Sequence, residues 1–142
     1  MYFPIVNVLE VIHIFDDDAH FEIVEANELE PNEHAVTDIN TKTIKIRSDV
    51  YDGACEGVGR DRMTIANEFA HFITLCVCGF RLARSFDDAP IPTYCDPEWQ
   101  AKCLAGELMV DSDLVKGMSA IEISVACGVS LPAAKMQLSK IA

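Results

Sequence analysis

With 142 residues, half of them apolar, the chain has the length of one domain with a sizeable core, and no apolar run approaches the roughly 18–20 residues of a membrane span. Its formal net charge of −12 argues against a nucleic-acid binder, whose partner's phosphates demand a basic surface. Met1-Tyr2-Phe3-Pro4 lacks the positive patch and small-residue cleavage site of a secretory signal. We therefore expect one cytoplasmic domain over residues 1–142, without direct contact to nucleic acid or membrane.

The first element expected is a helix starting at Pro4, a residue suited to a first helical turn, with Ile5, Val8, Leu9 and Ile12 at helical spacing and Asp16-Asp17-Asp18 ending it. His20–Val24 alternates like a strand, and Ala35–Asp38 is a second candidate. Thr43–Arg47 alternates again after the turn Asn40-Thr41-Lys42, so these two should form a hairpin with one face on the core. No Lys or Arg precedes Lys42, whereas ten acids lie in that first segment. They make a solvated face, or a docking surface steering a basic partner.

Asp49 to Gly57 reads as a short helix ended by Gly57 and Gly59, and a long helix follows from Arg62 to Cys78. Ala66, Phe69, Ala70, Ile73 and Val77 form its apolar stripe, with Thr64, Asn67, Glu68 and His71 on the other face. Gly79 to Cys95 is expected as a loop long enough to frame a cleft. Asp96-Pro97-Glu98 supplies a cap, a first-turn Pro and an acid at the positive end of the dipole, opening a helix to about Val110. Ser119–Glu122 is a capping box opening a helix that ends near Gly128, and a last helix spans Leu131 to Lys140. This final pair has helix-turn-helix spacing but carries only Lys135 and Lys140 as bases, which suits packing rather than DNA reading. The six cysteines sit mostly in apolar helical patterns and are expected as buried small hydrophobes, not disulfides.

The chemistry concentrates in the long helix. Positions 67 and 71 lie one turn apart and point the same way, the geometry of the zinc motif His-Glu-x-x-His, in which two imidazoles bind the metal and the Glu is the base. The first position here is Asn67, whose neutral amide oxygen is a poorer zinc donor than imidazole. Extending the core stripe Ala101, Leu104, Ala105, Leu108 back by three residues lands on Glu98. An inward carboxylate needs a cation, a metal or several donors to offset its desolvation, although an acid in a first turn also serves the helix dipole. Cys95, three residues earlier, is a spare thiolate donor. Asn67 also has a role without metal, hydrogen bonding to His71 or Glu98.

These stretches together resemble the ImmA/IrrE-type metallopeptidases, encoded beside repressors in mobile elements and in radiation-tolerant bacteria. Tyr51–Ala54 and Gly59–Ala66 resemble the segment leading into that family's zinc helix, and Asn67-Glu68-Phe69-Ala70-His71 stands where the family has His-Glu-x-x-His. Glu98 to Met109 resembles its Glu-x-x-Ala-Asn-x-Phe-Ala-x-x-Leu-Leu signature, and Val129-Ser130 with Ala133 and Leu138 is similar to its closing helix. The resemblance implies an α+β zincin-like domain, its helices packed on a small, mainly antiparallel sheet. It implies Glu68 as general base, and His71 and Glu98 as Zn2+ ligands with Asn67 at the remaining position. The implied activity is cleavage of a basic helix-turn-helix transcriptional repressor, with metal binding weakened by Asn67. The alternative is an inactive pseudo-peptidase that binds a repressor or toxin–antitoxin partner without cutting it.

Overall fold

The computed structural model describes residues 1–78 and 92–141. Among them six helices surround a three-stranded sheet, giving an α+β domain. The chain enters through α1 (Ile5–Glu10) and a 3-10 turn (Ile12–Ile14), so the first helix ends sooner than the acidic run Asp16–Asp18 suggested. Strand β1 (His20–Val24) follows, then β2 (Ala35–Asp38) and β3 (Thr43–Arg47).

β2 and β3 form the expected antiparallel hairpin, with Ala35 opposite Ile46 and Asp38 opposite Thr43. The sheet order is β1-β3-β2, and β1 runs parallel to β3, pairing His20 with Thr43 and Val24 with Arg47. The sheet is therefore mixed, not mainly antiparallel. The segment between β1 and β2 returns the chain, so that β1 and β3 point the same way and β3 takes the centre. Ile44 and Ile46 of that central strand are fully buried.

Helix α2 (Ser48–Cys55) leads into α3 (Gly59–Phe72), the middle of the molecule, which packs on α1, α2, β2 and α4 (Pro97–Met109). Ile65, Ala66, Phe69, Ala70 and Phe72 are all buried, each large one worth roughly 1.5–3 kcal/mol. Val77 does not join that stripe and is 43 % exposed. At Ile73–Val77 the helix widens to a π turn, with Cys78 N bonding Ile73 O at 2.9 Å, and the added residue per turn rotates the stripe off the core.

Asp96 caps α4 as expected, its Oδ1 accepting from the Glu98 backbone N–H at 3.0 Å. The expected loop from Gly79 lies outside the described residues up to 91, and Thr93–Cys95 form a 3-10 turn. The capping box of α5 (Ala120–Cys127) is present in both directions between Ser119 and Glu122, and Gly128 closes it in the left-handed conformation. α6 (Leu131–Ile141) packs back on α4. All six cysteines are free, but only Cys127 is buried; Cys55 and Cys78 are exposed. No described helix is long and apolar enough to cross a membrane.

Candidate functional site

Three elements converge on one cavity. α3 contributes Glu68 and His71, the first turn of α4 contributes Pro97 and Glu98, and β2 contributes Ala35, Val36 and Thr37. The cavity has a volume of about 360 Å3. His71 is buried, and its Nε2 lies 3.3 Å from Oε1 of Glu98. The cap at Asp96 fixes where α4 begins, and that start sets Glu98 opposite the last turn of α3.

Glu98 is not the inward carboxylate that extrapolating the core stripe suggested. Its side chain is 63 % exposed, because it lies in the first turn of α4, where no residue before Ala101 is buried. Its desolvation therefore requires no metal to offset it.

Glu68 is held from the sheet. Thr37 Oγ1 donates to Glu68 Oε2 at 2.7 Å, and the same hydroxyl also lies 3.0 Å from the Glu68 carbonyl. Burial pushes the Glu68 carboxyl above the usual carboxylate range; the Thr37 hydroxyl and the nearby His71 oppose that shift, while the charge of Glu98 adds to it. A carboxyl so placed is suited to hold or accept a proton at the cavity wall.

Asn67 is the departure. It does not belong to the residues lining this cavity but to those of a second one, beside Met63, Lys102 and Gln137. No hydrogen bond joins Asn67 to His71 or Glu98, so the expected metal-free bridge is not formed. Cys95 and the histidines His13, His20 and His34 do not line the cavity either.

Tested against zinc, the donor set fits halfway. Two ligands on a tetrahedral zinc at about 2.0–2.1 Å from the metal stand about 3.3 Å from each other, which is the spacing of His71 Nε2 and Glu98 Oε1. A catalytic zinc takes three protein ligands, and among the described residues no group of three His, Cys, Asp or Glu side chains is arranged to hold a metal ion. With the amide of Asn67 in another cavity, the described residues do not complete the donor set of a catalytic zinc.

Sequence reasoning reached Glu68, His71 and Glu98, and the fold brings those three together. It missed Thr37 and Glu33, which reach the cavity from β2 and the turn before it. Alternation marks a strand but does not say which helix its polar side chains will meet. The chain matches no protein-family model, no curated protein and no solved structure.

Proposed function

We propose that this chain is a zincin-like domain of metallopeptidase descent that binds a protein partner without cutting it. The observation that carries the proposal is Asn67. The position one turn before His71 is an amide that lies outside the Glu68–His71–Glu98 cavity, leaving one imidazole and one carboxylate where a catalytic zinc needs a third donor.

The remaining geometry suits recognition. Glu33, Glu68 and Glu98 line the cavity with no Lys or Arg among its described lining residues, and Val36, Ile39 and Leu75 give it apolar walls. In a chain of net charge −12, such a surface favours and steers a basic partner, and a DNA-binding repressor carries basic surface by necessity. Binding then acts on transcription by occupying the repressor.

Zinc-dependent cleavage of the same partner is the second function, favoured by the 3.3 Å spacing of His71 and Glu98. Zinc content of protein purified without added metal separates the two. Substoichiometric zinc, together with a repressor that is bound and left intact, is the expected result. Stoichiometric zinc that disappears in His71→Ala, with a cut repressor, would replace the binding module by a peptidase.

A further inference from the structure

A further cavity lies between α1, α2 and α3, apart from the acidic one. It has a volume of about 240 Å3; Tyr2, Ile5, Val6 and Ala54 give it mostly apolar walls, and Asn7 and Arg62 bring polar groups to it. No Asp or Glu is among its described lining residues. One water needs roughly 10–15 Å3, and pockets for drug-sized ligands begin near roughly 300 Å3, so this space suits a molecule of a few heavy atoms.

Arg62 brings an uncompensated charge to this wall. It is 1 % exposed and forms no ion pair with any described carboxylate. Burial pulls its pKa below the ordinary arginine value, and the groups that oppose the shift are Tyr2 and Cys127, neither of them an acid that is ionised at neutral pH. The chain has 23 acids, yet no described one is placed against its most buried cation.

The donor count is the second observation. A guanidinium has five N–H groups. Nη1 donates to the carbonyls of Cys127 at 3.1 Å and Gly128 at 2.7 Å, and Nη2 donates to the Phe3 carbonyl. The N–H on Nε and the second one on Nη2 are left over. No described side-chain nitrogen that is shut off from solvent lacks a hydrogen-bond partner, so Nε, which has none, is open to the cavity that Arg62 lines. The Tyr2 ring lies 3.6 Å from the guanidinium carbon and covers one face of the plane, which leaves the Nε edge as the approach for a ligand.

We propose that this cavity binds a small organic carboxylate with a short apolar tail. The carboxylate accepts from the Nε–H of Arg62, and the tail lies against Val6 and Ala54. One desolvated cation balances one negative charge. A dianion such as phosphate would bring a second charge to apolar walls that do not match it. The site stands whether or not the acidic cavity holds a partner.

The test is a titration of the 15N-labelled full chain with sodium butyrate, and separately with butyramide, sodium phosphate and sodium chloride at matched ionic strength. The Nε–H resonance of Arg62 and the backbone amides of Val6 and Ala54 are followed. Saturable shifts with butyrate are expected, with butyramide, its uncharged isostere, at least about tenfold weaker. Val6→Phe fills the cavity from a half-buried position and leaves Arg62 in place, so it should abolish the butyrate shifts while melting with the native protein. Shifts that chloride reproduces or that grow linearly overturn the site, as does butyramide matching butyrate. Phosphate binding more tightly than butyrate overturns the ligand class, and a folded Val6→Phe that binds butyrate at native affinity overturns the placement.

Discussion

Asn67 and His71 stand one turn apart on α3 and border different cavities. His71 meets the first turn of α4, where Glu98 Oε1 is 3.3 Å from its Nε2, while Asn67 meets the following turns, beside Lys102 and Gly106. One helical turn is about 5.4 Å along the axis, enough to carry a short side chain past the end of one cavity and into the next.

Restoring an imidazole at that turn tests the point directly. Asn67→His should leave zinc affinity within about twofold of the native chain, since position 67 borders the Lys102–Gln137 cavity and not the one that holds His71 and Glu98. Isothermal titration with zinc in a non-chelating buffer measures it. A gain of about tenfold or more would show that a side chain at position 67 does reach the His71–Glu98 pair.

Glu68 should make the native protein less stable than its neutral variant at neutral pH. Burial raises the folded carboxyl's pKa above its ordinary 4.5, so the folded chain holds the proton more tightly than the unfolded one. The group's contribution to stability is full below pH 4.5 and is lost as pH rises through the raised folded value. Glu68→Gln is therefore expected to melt above the native protein at pH 7 and level with it near pH 4. Thermal melts at the two values decide this, and a native protein more stable at pH 7 would contradict it.

The hydroxyl of Thr37 is the only donor to the Glu68 carboxylate among the described hydrogen bonds. Thr37→Val should destabilise the fold by about 1–2 kcal/mol, and by less when Glu68 is already Gln, because a bond to a charged acceptor is the stronger one. A double-mutant cycle by urea denaturation gives the coupling; a coupling of zero would mean that the two side chains do not interact in solution.

Arg62 joins three distant parts of the chain from inside the core, where it is 1 % exposed. Its Nη1 donates to the carbonyls of Cys127 at 3.1 Å and Gly128 at 2.7 Å, its Nη2 donates to the Phe3 carbonyl, and the guanidinium lies 3.6 Å from the centroid of the Tyr2 ring. Arg62→Lys loses the planar fork and should cost about 2 kcal/mol; Arg62→Met, which leaves all three carbonyls without this donor, should cost about 3 kcal/mol or more. Denaturant midpoints of the two variants check the order.

Gly59 opens α3 against the turn between α5 and α6. A Cβ there would stand 2.5 Å from both Ser130 N and Val129 C, which are backbone atoms with little freedom to yield. Gly59→Ala should therefore destabilise by about 2–3 kcal/mol despite alanine's better helix propensity. A variant as stable as the native chain would place that turn farther from α3.

Much of this architecture follows from local chemistry. The cap at Asp96, the Ser119–Glu122 box, the β2–β3 hairpin and the apolar spacing of α3 are decided within a few residues of one another, and each lies where those residues put it. Glu68, His71 and Glu98 are likewise legible, since helical spacing and a capped helix start are local properties. What only tertiary packing decided is which partner each polar side chain meets. β1 runs parallel to β3, Thr37 reaches Glu68 across a sequence separation of 31 residues, the π turn carries Val77 off the core, and the same-facing pair Asn67 and His71 is divided between two cavities. Periodicity specifies the face of a helix, but the axial position at which a neighbouring helix begins determines what that face will touch.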